Sequence, residues 1–196
     1  MSQVFKPVSY TNLANLAVTT SSAASDPWSP LGSKTCLRLS STNDIYFTIV
    51  TADVSPTATA ANPVLAAGQE TYITVNSNAA KISTIGADDG SVAPIIQFAT
   101  DGGNESYHNF KIGDKIKIFG ATGGTHSGTW NSTILTVSGT DVNTPALGAT
   151  KIAVTSTGSA LTATTSGGTA RLAFKIAAIT ISGTSKLSVT EVATTG

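Results

Sequence analysis

Apolar and polar residues alternate along this chain in short runs, each closed by a cluster of turn residues. That two-residue period is the feature that most limits its fold. Leu37 and Leu39 alternate with Cys36, Arg38 and Ser40. Ile45, Phe47 and Ile49 alternate with Tyr46, Thr48 and Val50. Ser41-Thr42-Asn43-Asp44 lies between the two runs, so they read as a hairpin. Successive side chains of an extended chain point to opposite faces, so each run offers one face to a core and one to water. Short strands follow at residues 72–75, 81–85, 95–98, 129–137, 151–154, 171–176, 179–181 and 187–192. In the run from Phe110 to Gly120, Phe110, Ile112, Ile116 and Ile118 share one parity. Lys111, Lys115 and Lys117 share the other, and Gly113-Asp114 marks a turn or bulge. No long amphipathic helix is legible. The expected fold class is all-β.

Composition agrees. Ser plus Thr make up roughly 28% of the 196 residues, well above ordinary usage. Thr suits a pleated, half-buried surface, and Ser and Gly suit turns. Charged residues are 11% and the formal net charge is zero. A nucleic-acid binder needs Lys and Arg in excess to neutralise phosphates, so that class is not expected. Cys36 is the single cysteine, which excludes an internal disulfide and a cysteine-based zinc cluster. Residues 1–20 lack a basic segment followed by an apolar run, and no apolar stretch approaches the ~18–20 residues that span a bilayer. The expectation is a soluble protein made in a cytoplasm, with no membrane partner. A neutral, weakly charged surface favours association.

Residues 1–34 show no clear period and read as an N-terminal arm, ending near Asp26-Pro27-Trp28-Ser29-Pro30. Such an arm can lie on a neighbouring subunit with Trp28 as its anchor.

Candidate chemistry is sparse. The two histidines, His108 and His126, sit in Asn- or Gly-rich contexts, and there is no Gly-x-Ser-x-Gly elbow. Gly120-Ala121-Thr122-Gly123-Gly124-Thr125-His126-Ser127-Gly128 lacks the Lys-Ser/Thr ending of a phosphate-binding loop, and no helical pattern follows it. Asp101-Gly102-Gly103-Asn104-Glu105 offers oxygen ligands but matches a calcium loop poorly. Asn104-Glu105-Ser106 and Asn131-Ser132-Thr133 match the glycosylation acceptor, a match expected to have no chemical consequence without a signal peptide. No catalytic residue, cofactor or metal is expected. Lys111, Lys115 and Lys117 form a row that can steer a partner. Trp28, Tyr107 and Trp130 are the aromatics available to a carbohydrate platform or another interface.

Two groups of segments resemble small virion proteins of tailed bacteriophages. The first is Thr42-Asn43-Asp44-Ile45-Tyr46-Phe47-Thr48-Ile49, Pro63-Val64-Leu65-Ala66-Ala67-Gly68-Gln69-Glu70, Lys81-Ile82-Ser83-Thr84-Ile85 and, at the far end, Leu187-Ser188-Val189-Thr190-Glu191-Val192. It is similar to compact β-sandwich modules in which the last strand follows directly on the one before, whereas here residues 86–182 intervene. The second is Phe110-Lys111-Ile112-Gly113-Asp114-Lys115-Ile116-Lys117-Ile118-Phe119-Gly120 with Trp130-Asn131-Ser132-Thr133-Ile134-Leu135-Thr136-Val137. It looks like a phage β-module repeat. The resemblance implies a β-sandwich formed by residues 35–86 and 183–196, with residues 87–182 inserted as a small β-barrel or sandwich. It implies a capsid decoration or cement protein that binds the major capsid protein on the outer shell as a homo-oligomer, such as a trimer. Such a virion component is assembled in the host cytoplasm. Alternatives are a tail, neck or fibre component, and a carbohydrate-binding module. The interface residues expected are Trp28, Lys111, Lys115, Lys117 and Trp130.

Overall fold

The computed structural model describes residues 7–30, 34–76, 78–87, 94–99, 108–122, 127–140, 149–156 and 165–194. Among them are fifteen strands and one helical turn, and all strand pairs are antiparallel. The all-β expectation holds. The chain forms two compact units: Met1–Ser77 with Phe174–Gly196, and Asn78–Ala173.

The first unit is a sandwich of two four-stranded sheets. One sheet runs β1 (Pro7–Val18), β15 (Ser185–Thr194), β3 (Lys34–Ser41), β6 (Glu70–Asn76). The other runs β2 (Ala23–Ala24), β14 (Phe174–Thr180), β4 (Ile45–Thr51), β5 (Val64–Leu65). Leu37, Leu39, Leu187 and Val189 of the first sheet are fully buried, as are Ile45 and Ile176 of the second. The alternation read in the sequence therefore assigns faces correctly in β3 and β4.

Sheet membership is another matter. β3 and β4 are not a hairpin, because they lie in different sheets, and Ser41 to Asp44 carries the chain across. The segment between β14 and β15 makes the same crossing beside it. Polar groups tie the two crossings together. The Ser41 and Ser185 hydroxyls share a hydrogen bond of 2.7 Å, and Asn43 N donates to Ser185 Oγ at 3.1 Å. Lys186 N donates to Thr42 Oγ1 at 2.9 Å, and Ala67 N donates to Asp44 Oδ1 at 2.7 Å. A turn cluster in sequence says that the chain changes direction; it does not say which sheet receives the next strand.

The expected arm at residues 1–34 is instead largely structural. β1 pairs with β15 from Pro7↔Thr194 to Val18↔Ser185. Leu16 and Val18 point into the core. A register shift between Asn12 and Ala14 breaks the parity, and that bulge hid the strand from a period-two reading.

The second unit is a closed barrel. Its strands are β7 (Ala79–Ala87), β8 (Pro94–Phe98), β9 (Lys115–Phe119), β10 (Ile134–Gly139), β11 (Lys151–Ser156) and β13 (Thr169–Leu172). The order is β7-β13-β9-β10-β11-β8, and β8 pairs back onto β7 to close the ring. β12 (Thr165–Ser166) continues alongside β7. Gly167 and Gly168 separate β12 from β13, both at positive φ. A Cβ on Gly168 would stand 2.6 Å from Phe119 O and 2.8 Å from Ala121 N, so only glycine fits this approach. Ile82, Ile85, Ile96, Phe98, Ile116, Ile118, Leu135, Val137, Ile152 and Val154 fill the interior.

The boundaries expected from sequence move accordingly. β7, which includes Lys81–Ile85 of the sandwich-like segments, belongs to the barrel, and β14 belongs to the sandwich. The sandwich was expected to resume at residue 183, and it resumes at Phe174. Residues 129–132 were expected in a strand, but α1 (Ser127–Ser132) takes them into a helical turn. Ile112 was expected to be buried and is 51% exposed. It occupies the tip of a turn in which Asp114 N donates to Lys111 O at 3.1 Å and Gly113 adopts φ +93°. The strand proper begins only at Lys115.

A candidate interaction surface on the barrel wall

Of the five expected interface residues, two are interior. Trp28 is 5% exposed, and its ring lies 5.6 Å from that of Phe174. Its backbone pairs with Phe174 in both directions, at 2.9 and 2.7 Å. Trp28 therefore anchors the sandwich's own core and not, as expected, a neighbouring subunit. Trp130 is fully buried within α1. The next residue fixes the turn: Asn131 Oδ1 accepts from Ala121 N at 2.9 Å, and its Nδ2 donates to Ala121 O at 3.1 Å. With both tryptophans buried, neither can serve as an exposed sugar platform. Tyr107 lies outside the described residues.

The other three residues are at the surface. Lys111 is exposed in the turn before β9, where its backbone N donates to Asp114 Oδ2 at 2.8 Å. Lys115 and Lys117 are half-buried on the outer face of β9. The barrel's register gives them neighbours that the sequence row did not name. Arg171 of β13 stands directly opposite Lys117 on one side, and Ile134 of β10 on the other. One row away, Thr169 pairs with both Lys81 of β7 and Phe119 of β9. One row the other way, Lys115 pairs with Thr136, and Lys115 Nζ donates to Thr136 Oγ1 at 2.5 Å. Lys117 Nζ lies 5.5 Å from the Phe119 ring centroid, a cation–π contact. Three adjacent strands thus place Lys115, Lys117, Arg171 and Lys81 on one outer face, where Lys81 is exposed and the Nε and Nη1 of Arg171 are buried.

Arg171 is the functional candidate that the linear reading missed. Its signal was its outward parity on a strand pairing with β9, and that pairing is non-local.

The remaining motifs lie partly outside the described residues. His108 stands among Phe98 and Phe110, with ring centroids 5.1 and 6.1 Å away. Cys36 is a free, half-buried thiol on the outer face of β3. His126, Asp88-Asp89-Gly90 and Asp101 to Glu105 lie outside the described residues. The glycine-rich segment is followed by α1, where no helix was expected, but the turn is only six residues long. Among the described residues no group of three or more His, Cys, Asp or Glu is placed to hold a metal ion, and no helix is long and apolar enough to cross a membrane. Comparison of the chain with protein families, with curated proteins and with solved structures finds no match.

Proposed function

We propose that this chain is a non-enzymatic structural component of a tailed-phage particle, a decoration or cement protein on the outer face of the capsid lattice. One observation carries the reading. Three of the segments that resemble phage sandwich modules lie in one sandwich, although the whole barrel separates them in sequence: β4, the stretch around β5, and β15. The fourth, β7, has become a barrel strand. This is the organisation of a compact module that has received an insert.

In this reading the protein acts by physical means. Many copies each bury surface across a seam between capsid subunits, so opening the seam must also break those contacts. Self-association, as a trimer for example, multiplies the effect through effective concentration. The major capsid protein is the partner.

Copy number is the test. Quantitative mass spectrometry of intact particles should give copies on the order of hundreds per particle, as multivalent coating of a lattice requires, with density over subunit junctions. A dozen copies or fewer, confined to the tail, would move the protein to the tail or neck.

A further inference from the structure

We infer that β6 is a self-pairing edge: it joins the β6 of a second copy, antiparallel across a two-fold axis, so that one sheet of each sandwich becomes half of a continuous sheet. The inference rests on the form of this strand and not on the capsid reading.

The four edges of the sandwich are not alike. β2 and β5 are only two residues long. β1 carries two register irregularities against β15, and a bulged strand twists away from flat pairing. β6 has neither protection. It pairs with β3 without a break from Lys34↔Asn76 to Ser40↔Glu70. It holds no proline, glycine or lysine. Its centre, Thr71-Tyr72-Ile73-Thr74-Val75, is entirely β-branched or aromatic. Among the described strands β3 is its sole partner. A regular edge of this length and composition is a site for strand addition.

Burial marks the same side as open. Thr71, Ile73 and Val75 share the inward face. Ile73 is directly paired with Leu37, which is fully buried, yet Ile73 itself is only half-buried. Apolar surface therefore remains uncovered at the rim of the core. On the outward face Thr74 is exposed and Tyr72 is 56% exposed.

Register and charge name the occupant as a second copy. A two-fold axis at Ile73 uses every residue of the strand. Glu70 meets the second copy's Asn76, Thr71 meets Val75, Tyr72 meets Thr74, and Ile73 meets its own counterpart. Inward residues meet inward residues, so both cores keep their parity. Each apolar or β-branched side chain finds another of its kind or an aromatic ring. Glu70 is the strand's only charge, and Arg38 already holds it at 3.4 Å. Antiparallel pairing sets that carboxylate against an amide, whereas parallel pairing would set it against its own copy. The joined sheet runs β1-β15-β3-β6-β6-β3-β15-β1 and ends on the irregular β1 at both sides. The pairing thus closes at two copies and does not propagate into a fibre.

The test is sedimentation equilibrium of the full chain over a wide range of concentration. Wild type is compared with Tyr72→Glu/Thr74→Glu, Tyr72→Lys/Thr74→Lys, the mixed-sign Tyr72→Glu/Thr74→Lys, and Asn15→Lys at an exposed position of β1. Wild type and Asn15→Lys should be reversible dimers of equal affinity. Each single-sign pair should raise the dissociation constant about tenfold or more, because like charges face each other twice across the axis. Mixing the two single-sign variants should restore the dimer, which chains that fail to fold cannot do. The mixed-sign variant should dimerise at least as tightly as wild type, since its carboxylate at 72 meets the second copy's ammonium at 74. If a single-sign pair unfolds, this variant still decides the register, because parallel pairing would abolish its dimer. A wild type that stays monomeric, a trimer, a dimer indifferent to changes in β6, or no restoration on mixing overturns the inference. Binding to purified capsid shells is measured alongside. A monomer whose shell binding falls in both single-sign pairs overturns self-pairing, gives the edge to a shell strand and leaves the capsid reading standing. A dimer with the expected variant pattern, but no shell binding, upholds the inference and overturns the capsid reading.

Discussion

In the sandwich, Arg38 meets Glu70, and Tyr72 Oη also donates to that carboxylate at 3.0 Å. In the barrel, Lys117 meets Arg171. The two units also end their sheets differently. The sandwich leaves β1, β6, β2 and β5 as edges, and two of those are only two residues long. The barrel pairs β8 back onto β7, so its six-strand ring has no edge, and among its described strands the two-residue β12 alone lacks a second partner. Closure satisfies the backbone, and the outer face of the barrel carries Lys115, Lys117 and Arg171 on neighbouring strands. Open edges leave backbone groups exposed, and there the neighbouring charges are neutralised in place.

The largest expected effect tests whether the units stand apart energetically. Each holds one of the chain's two tryptophans, Trp28 in the sandwich and Trp130 in the barrel, and both are buried. Gly168→Ala drives a Cβ into backbone atoms at 2.6 and 2.8 Å and forces a positive φ on alanine. It should destabilise the barrel by about 3 kcal/mol or more. Urea titration in Trp28→Phe and Trp130→Phe backgrounds would resolve this: the Trp130 transition moves to lower urea and the Trp28 transition stays. Coincident movement of both would erase the distinction between the units.

Ser185→Ala strikes the sandwich alone. It strips a partner from the Ser41 hydroxyl and from Asn43 N. The expected cost is about 0.5–1.5 kcal/mol, because the Ser41 hydroxyl still donates to Asn43 O at 2.8 Å and Asn43 is exposed to water. Differential scanning calorimetry should show the lower Tm only in the transition reported by Trp28.

Smaller effects follow from the charges. Lys117→Gln removes the ammonium group from over the Phe119 ring and should cost the barrel about 0.5–1 kcal/mol. Glu70→Gln should cost the sandwich at most about 1 kcal/mol, because the Arg38–Glu70 pair is well exposed. The difference should shrink as NaCl rises in paired chemical-denaturation curves.

What was legible in the sequence is what depends on near neighbours along the chain. The faces of β3, β4 and β9 follow from alternation, because burial of one face forces it. The turn at Gly113 follows from glycine's access to positive φ. The illegible parts depend on register between distant segments. β1 was masked by its bulge. β7 was placed with the wrong unit, because alternation does not name a partner strand. The burial of Trp28 depends on Phe174, far away in the chain, so its neighbours in sequence suggest an exposed anchor. The lysine row was visible, but Arg171 joins it only through the β9–β13 pairing.

The central positions of β14 and β15 in their sheets have a consequence for how the protein comes into being. Each has strands from the first part of the chain on both sides. Neither sheet can form until the ribosome has passed the barrel, whereas every barrel strand lies between Ala79 and Leu172. Limited proteolysis of released, truncated chains ending near residue 173 should therefore find the barrel protected and residues 7–76 open to cleavage. The molecule is completed from the middle outward, with its first strands waiting for its last.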